Sequence, residues 1–272
     1  MSSERDRKNV RRSMEELISL EGKRAVITGS ASGIGRAMAL RFSEAGAALE
    51  LVDINGSGLA SLKGELSEFG TECATHVVDL SKKDEIEGLW EEIGGSPPDI
   101  LVNNAGIFPF RDFLKVDESF LGRVMDVNLN SAVWMCQRMV ERRMGRGGVI
   151  VNVASIEALL PFMENLVHYS VSKAGIIALT RSLAREYGRH GFRVNALVPG
   201  GINTPGTRSV AMEITRLNLG LIRSGVEFRQ RLPMGRAGDP DEVARMALVL
   251  ASDLSSYVNG ALVPVDGGFL SA

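Results

Sequence analysis

The chain has 272 residues, 44% hydrophobic and 24% charged, which suits a globular protein with a sizeable core and excludes disorder as its main state. Its 31 Lys and Arg against 33 Asp and Glu leave no net basic charge, so neither nucleic acid nor an anionic membrane is an expected partner. No apolar run approaches the ~20 residues that cross a bilayer, and two distant cysteines with three unclustered histidines predict neither a disulfide nor a metal site.

The first part of the chain, residues 1–19, is a polar and locally basic extension that we expect to be flexible. No apolar segment follows that would make it a secretory signal, so we expect a cytoplasmic protein. The stretch that begins at Met14 fits either a short amphipathic turn or the true translational start. We expect residues 20–272 to form one domain, because no repeat, low-complexity block or linker interrupts them.

From Lys23 onward, short β-branched runs alternate with helix-length segments, which is typical of a parallel sheet with crossover helices. The predicted strands are Arg24–Thr28, Ala48–Asp53, Cys73–Val78, Ile100–Asn103, Gly148–Val153, Arg193–Val198 and Ala261–Pro264. The predicted helices are Ile34–Ala45, Leu59–Phe69, Lys82–Ile93, Glu118–Arg143, Tyr169–His190 and Pro240–Ser252. Several strands are nearly continuous apolar runs, so helices should cover both faces. The predicted fold class is α/β, a single doubly wound Rossmann-type domain of about seven parallel strands, with a substrate lid near residues 200–234.

A glycine-rich turn follows the first strand and opens a helix. Its residues are Gly29, Ser32, Gly33, Ile34 and Gly35. Glycines let the backbone turn sharply and approach a pyrophosphate, and the helix N-terminus supplies free N–H groups and a positive dipole end. The turn predicts a dinucleotide site, although a plain structural turn would use the same residues.

Acidic residues end the second and third strands. A carboxylate at Asp53 would accept hydrogen bonds from the adenosine ribose hydroxyls and repel a 2′-phosphate, so we predict NAD as the cofactor. The alternative for Asp53 is a helix cap, since Asn55 follows it. Asp79, which precedes Leu80, would meet the adenine amine or cap the turn before Ser81.

Tyr169 and Lys173 are four residues apart and share one face of a predicted helix. A free phenol has a pKa near ~10, and a cation held close favours the phenolate. Lys173 can supply that cation and can also bind the nicotinamide ribose. Ser155 closes a buried strand at the sheet edge that faces the ligand crevice, where its hydroxyl can hold a substrate oxygen against Tyr169. The three residues indicate proton transfer to or from a carbonyl or secondary alcohol.

In their order and spacing, these motifs resemble the short-chain dehydrogenase/reductase family, from about Leu20 to the C-terminus. The TGxxxGIG turn is followed by Asn103-Asn104-Ala105-Gly106, Asn128, Ser155, Tyr169-Ser-Val-Ser-Lys173, Pro199-Gly200 and Val265-Asp266-Gly267-Gly268. The resemblance implies a nicotinamide-dependent oxidoreductase acting on a small carbonyl or alcohol substrate. It also implies a homotetramer or homodimer, for which Ala174 and Ala178 would allow close helix packing.

The resemblance assigns further positions. Asn104, Ala105 and Gly106 would stabilise the strand edge near the cofactor, and Pro199, Gly200, Ile202 and Thr204 would lie at its nicotinamide end. Asn128 would orient a water in a proton relay behind Lys173. The alternative is that Asn128 has only a structural role, with its side chain hydrogen-bonded to the helix backbone. One departure from the family is visible: Ser155 and Tyr169 are fourteen residues apart instead of the usual thirteen, so an insertion between them could displace the serine.

Substrate identity should depend on residues 107–116, 156–168 and 206–234. The apolar residues predicted to wall the substrate pocket are Phe108, Phe110, Phe113, Leu159, Leu160, Phe162 and Met163, and the polar candidates are Arg111, Glu157, Glu164 and Arg208. Two alternatives stay open. One is an NADPH-dependent 3-oxoacyl carrier-protein reductase, which shares these motifs, although Ser32 stands where a basic residue often binds a 2′-phosphate. The other is a protein that binds NAD without turnover.

Overall fold

The computed structural model describes residues 12–207, 228 and 230–272. Within them, seven parallel strands form one sheet in the order β3-β2-β1-β4-β5-β6-β7. The strands are β1 (Arg24–Thr28), β2 (Ala48–Asp53), β3 (Cys73–Val77), β4 (Ile100–Asn103), β5 (Gly148–Val153), β6 (Phe192–Pro199) and β7 (Leu262–Val265). The strand order reverses between β1 and β4, and open α/β sheets bind their ligands in the crevice at such a point.

Helices cover both faces of the sheet, which confirms the predicted doubly wound fold. They are α1 (Met14–Ile18), α2 (Gly33–Glu44), α3 (Gly56–Glu68), α4 (Lys83–Ile93), α5 (Glu118–Met125), α6 (Ser131–Arg143), α7 (Val167–Tyr187) and α8 (Pro240–Ala251). The cluster on one face joins α2, α3 and α8, and that on the other joins α4, α6 and the end of α7. Because both faces are covered, β1 and β4 are almost completely buried.

The helix predicted over Glu118–Arg143 is interrupted by a π-helical turn at Asp126–Asn130. There the N–H of Ser131 donates to the carbonyl oxygen of Asp126, five residues earlier. Such turns are rare and frequently lie at functional sites. This one rotates Asn128 into the protein, where it is buried.

In the N-terminal extension, residues 1–11 lie outside the described part. The predicted turn at Met14 is the helix α1, closed by a capping box between Ser13 and Glu16. Arg12 forms an ion pair with Asp253 at 2.6 Å. Residues 12–19 are therefore docked on the domain in this structure.

Across the described ranges, no helix is long and apolar enough to span a membrane. The same residues contain no group of three or more His, Cys, Asp or Glu that could hold a metal ion. Both cysteines, Cys73 and Cys136, are free.

A partly buried cluster of charged side chains joins β1, β2 and β3. Glu50 is buried and accepts hydrogen bonds from the guanidinium of Arg24, with Nε at 2.8 Å, and from Nε2 of His76 at 2.6 Å. The other ring nitrogen of His76 lies 3.1 Å from Glu92. Burial alone would raise the pKa of Glu50, but the bonds from His76 and Arg24 lower it overall. The bond to Glu50 raises the pKa of His76.

We expect His76→Gln to lower the free energy of unfolding by about 1 to 2 kcal/mol at pH 6 and by less at pH 9. A raised histidine pKa stabilises the fold fully below the unfolded value of 6.5, and this contribution is lost as pH rises through the folded pKa. Urea unfolding of both variants at the two pH values measures the difference. His190→Gln, at an exposed histidine, is the control. An equal loss at both pH values would contradict a charged His76.

Candidate active site

The glycine-rich turn between β1 and α2 packs directly against the loop that follows β4. Gly29 has a φ of +64°, and a Cβ there would lie 2.8 Å from the Cα of Ala105. A Cβ at Gly35 would lie 2.1 Å from the carbonyl oxygen of Gly29. Only glycine fits both places, so the turn stays tight. The first N–H groups of α2, at Gly33 and Ile34, have no partner within the helix and suit an anionic group.

Asn104 joins the loop after β4 to β1. Its side-chain amide donates to the carbonyl oxygens of Thr28, at 3.0 Å, and Gly29, at 3.1 Å. In return, the hydroxyl oxygen of Thr28 accepts the backbone N–H groups of Asn104 and Ala105 at 3.0 and 3.1 Å. Sequence reasoning missed Thr28. Its only signal was a hydroxyl residue at a strand end, directly before the glycines.

Asp53 ends β2 and points its carboxylate toward the dinucleotide turn. Oδ2 accepts the N–H of Ala31 and Oδ1 accepts the N–H of Asn55, both at 2.9 Å. Asn55 itself caps α3 by accepting the N–H of Gly58 at 3.1 Å. Asn55 therefore fills the helix-capping role that was the alternative for Asp53. Each oxygen of Asp53 keeps a second acceptor site for a hydroxyl group.

Asp79 lies two residues beyond β3 and is engaged by the turn before α4. Its Oδ1 accepts the N–H and the hydroxyl of Ser81 at 3.1 and 2.7 Å. The bond from the Ser81 hydroxyl lowers the pKa of Asp79. Of the two roles predicted for Asp79, the structure shows the turn contact. Asp79 and the buried Leu80 also line the cavity described next.

A cavity of about 830 Å³ extends along the carboxyl ends of the strands. This volume falls within the ~300–1,000 Å³ usual for small-molecule sites. The predicted cofactor residues that line it are Gly29, Ser32, Gly33, Ile34, Asp53, Asp79, Leu80, Asn104, Ala105, Gly106, Tyr169, Lys173, Pro199, Gly200, Ile202 and Thr204. Gly35 does not line the cavity, and its part is to let the turn close.

The segment after β6 forms the opposite wall. A Cβ at Gly200 would lie 2.8 Å from the Cα of Asp266, and a Cβ at Gly33 would lie 3.3 Å from the methyl group of Thr204. Residues 199–204 therefore reach across to the start of α2. The predicted lid continues from here, but residues 208–227 and 229 lie outside the described residues, and Arg208 with them.

Ser155 and Tyr169 meet despite the longer spacing between them. The hydroxyl of Ser155 lies within hydrogen-bonding reach of the Tyr169 phenol. The longer spacing, which could have displaced the serine, leaves it next to the tyrosine. In the loop between them, Asn165 adopts a left-handed φ of 64°. Burial raises the pKa of Tyr169 to about 12; the Ser155 bond opposes this rise and the charge of Glu157 adds to it.

Lys173 lies one helical turn after Tyr169 on α7, as predicted. Its Nζ is 5.9 Å from the centre of the tyrosine ring and donates to the carbonyl oxygen of Val153 at 2.8 Å. Burial lowers the pKa of Lys173 to about 8. In the protein alone, burial is thus the main cause of the pKa shift of both Tyr169 and Lys173. We expected Lys173 to lower the pKa of Tyr169, but Lys173 is not among the causes of the Tyr169 shift. An ammonium group has three donors, so Lys173 retains capacity for a ligand.

Asn128 lies behind the cavity and does not line it. Its side-chain amide donates to the carbonyl oxygen of Ile107 at 2.8 Å and accepts the N–H of the same residue at 2.7 Å. It also donates to the hydroxyl of Ser172 at 3.1 Å. A Cβ at Gly106 would lie 3.3 Å from both the Asn128 carbonyl oxygen and Lys173 Nζ. The side chain thus holds the loop after β4 beside Lys173, and its partners lie outside its own helix backbone.

Four of the seven apolar residues predicted to wall the substrate pocket are in place. Phe108, Phe110, Phe162 and Met163 line the cavity. Phe113, Leu159 and Leu160 do not: the first two are exposed to solvent, and Leu160 packs against a core cluster. The additional apolar lining residues that we did not predict include Ile54, Val78, Val127, Ile156, Leu166 and Phe228.

The polar candidates separate in the same way. Glu157 is buried and lines the cavity. Arg111 is paired with Asp117 at 3.1 Å, away from the cavity lining, and Glu164 is exposed. His168, which we did not single out, bonds the carbonyl oxygen of Pro109 through Nε2 at 2.7 Å and supports the wall from behind.

The fold and this site define the class of dinucleotide-dependent α/β oxidoreductases. A family model described as enoyl-(acyl carrier protein) reductase matches residues 29–270. The chain is 36% identical to 3beta-hydroxysteroid dehydrogenase 2 of Eggerthella lenta over 260 residues, 92% of this chain and 95% of the relative. It is 36% identical over 256 residues to a 3-oxoacyl-(acyl-carrier-protein) reductase of Thermotoga maritima, 92% of this chain and 99% of the relative.

Solved structures agree with the sequence relatives. A putative NAD(P)-dependent gluconate 5-dehydrogenase from Beutenbergia cavernae, with bound NADP, is similar with a TM-score of 0.86 and 32% identity, over 94% of this chain and 100% of the other. The chain belongs to the short-chain dehydrogenase/reductase family. It is an oxidoreductase that transfers a hydride between a nicotinamide cofactor and a carbonyl or alcohol group.

Proposed function

We propose that the cofactor is NAD(H) and that Tyr169 transfers the proton, with Ser155 holding the substrate oxygen and Lys173 supporting the tyrosine. The observation that carries this proposal is the convergence of these three side chains on one cavity, whose other end holds the start of α2 and Asp53. A scaffold that binds a dinucleotide without turnover has no need of a serine hydroxyl against a buried phenol.

The residues that would hold the cofactor fit it. The glycine turn leaves room for a pyrophosphate at Gly33 and Ile34, and Asp53 has acceptor sites for ribose hydroxyls. Lys173 has donors for the second ribose. When bound, the nicotinamide accepts or supplies the hydride. The protein supplies the proton at the Tyr169 oxygen, and Ser155 keeps the substrate oxygen there as its charge changes.

We expect carbonyl reduction to be independent of pH through neutrality and alcohol oxidation to accelerate as pH rises. The raised pKa keeps Tyr169 protonated near pH 7, which suits a proton donor, while oxidation needs the phenolate. The oxidation rate should rise by up to about tenfold per pH unit below the pKa in the complex. Initial rates in both directions from pH 6 to 10 measure this. Identical profiles in the two directions would contradict it.

The NADPH-dependent 3-oxoacyl carrier-protein reductase remains the alternative, because a relative of that name is 36% identical. The relatives' names mention a steroid, an acyl carrier protein and gluconate, so they agree on the reaction but not on the substrate. A panel of ketones and secondary alcohols, assayed with both coenzymes in both oxidation states, tests the proposal. Absence of turnover throughout, with NADH still bound, would favour the protein that only binds.

We propose that the protein is a cytoplasmic homotetramer, with a homodimer as the alternative. On α7, Ala174 and Ala178 are exposed, together with Val171 at 54% exposure. Packing of these small residues against the sheet, the other explanation for them, does not fit their exposure. Val171, Ala174 and Ala178 form an apolar strip along one face of α7, which suits close packing against the same helix of a second copy.

Ala174→Glu is expected to lower the mass in solution, because it places a charge at the centre of this strip. Light scattering should give about four times the 29.3 kDa chain mass for the wild type and a smaller assembly for the variant. Ser61→Glu adds the same charge at an exposed position of α3 and should change nothing. A wild type that is monomeric at micromolar concentration would remove the proposal.

A further inference from the structure

The substrate half of the cavity is walled by aromatic and aliphatic side chains. They are Phe108 and Phe110 after β4, Phe162, Met163 and Leu166 before α7, and Phe228. The rings of Phe162 and Phe228 stack with centroids 5.1 Å apart, and Phe108 meets Tyr169 edge-on at 6.1 Å. Such a wall favours ligands that bury apolar surface and offers a polyol few hydrogen-bonding partners.

Glu157 is the one acidic side chain in this half, as far as the described residues go. It is only 4% exposed. Its carboxylate accepts the N–H groups of Met163 at 3.1 Å and Phe162 at 3.4 Å, and the hydroxyl of Ser170 at 3.3 Å. Burial raises its pKa, and these bonds oppose that rise. Every partner is a donor, so the group is held as an acceptor beside Tyr169.

No described cation neutralises Glu157. The cationic residues among those lining the cavity are Lys173, which bonds the Val153 carbonyl oxygen, and Arg123, which is exposed on α5. Neither forms an ion pair with Glu157. Two carboxyl groups that share a poorly solvated site cannot both ionise readily, and a buried charge without a partner is costly. A substrate carboxylate would meet both penalties here.

We propose that the substrate is an uncharged and largely apolar ketone or secondary alcohol, and that Glu157 excludes compounds that carry a carboxylate. The inference rests on the proposed function and adds the substrate class to it. Glu157 acts as a specificity-determining residue. It takes no proton in the reaction, and its charge determines which molecules bind next to Ser155 and Tyr169.

The test uses pairs of ring ketones, namely the ethyl esters and the free acids of 3-oxocyclopentane, 3-oxocyclohexane and 3-oxocycloheptane carboxylic acids. The members of each pair differ in the carboxylate charge and in the ethyl group of the ester. With NADH and NADPH, we expect kcat/KM for the esters to exceed that for the acids by about a hundredfold at neutral pH. Glu157→Gln keeps the size and one acceptor oxygen, and should raise the ratio of kcat/KM for the acids to kcat/KM for the esters about tenfold.

Glu164→Gln removes an exposed carboxylate from the same loop and should leave the ratio unchanged. Acids reduced as well as esters by the wild type would overturn the inference, even if Glu157→Gln does not fold. An unchanged ratio in a folded Glu157→Gln variant would overturn the part assigned to Glu157. Those results leave the proposed function intact, whereas no reduction of any ketone with either coenzyme would overturn the function itself.

Discussion

Tyr169→Phe is expected to lower kcat by ~10²-fold or more while NADH binding stays within a few-fold of the wild type. The substitution deletes the hydroxyl that faces Ser155 and keeps the ring that packs edge-on against Phe108. The cavity should therefore keep its shape and lose the proposed proton donor. Steady-state kinetics on an accepted ketone and a fluorescence titration with NADH separate the two effects.

Tyr187→Phe, at the end of the same helix, is the matched control and should keep full activity, because it does not line the cavity. Lys173→Ala should damage both turnover and cofactor binding, since its ammonium lies between Val153 and the cavity. More than a tenth of the wild-type kcat in Tyr169→Phe would show that another group carries the proton.

Motifs that are local in the chain could be predicted from the sequence. The glycine turn and the spacing of Tyr169 and Lys173 depend on a few consecutive residues, whose geometry follows from glycine conformation and the helical repeat. The central strands β1 and β4 could be predicted because both of their faces are buried, which makes them largely apolar. The position of Asp53 at the end of β2 followed directly from the strand.

Features that depend on a distant partner could not be predicted. Asn128 bonds Ile107, twenty-one residues away, across a π-helical turn that helical periodicity does not reveal. Glu157 is buried because its partners come from a loop and the start of α7, and its charge alone indicated only a polar candidate. Similarly, Phe113 and Leu159 are apolar in sequence but exposed, since the turn geometry of their loops decides which way they point.

We expect the coenzyme preference to depend on the carboxylate of Asp53, which is fixed on both sides. Its oxygens accept the N–H groups of Ala31 and Asn55, each at 2.9 Å, so the group cannot easily swing away from a ligand. Ser32, the N-cap residue directly before α2, is uncharged and makes no side-chain capping bond. The adenosine end thus presents a held negative charge, whereas a 2′-phosphate would need a cation there.

We expect NAD(H) to be favoured over NADP(H) by roughly ten- to a thousandfold in kcat/KM, because a phosphate would stand beside this carboxylate. At ~4 Å and an effective dielectric near ~20, repulsion between two unit charges costs about 4 kcal/mol, and solvent exposure reduces this to about half. Each ~1.4 kcal/mol corresponds to a tenfold change in kcat/KM.

Variants of Asp53 test the cause of this preference. Asp53→Asn removes the charge and keeps an acceptor, so it should raise kcat/KM with NADP(H), whereas Asp53→Ala should also lower kcat/KM with NAD(H). Asp79→Asn, which removes a carboxylate elsewhere in the cavity, should change both coenzymes together. A wild type that prefers NADP(H), the coenzyme bound in the similar gluconate dehydrogenase structure, would overturn the role of Asp53 and favour the carrier-protein reductase.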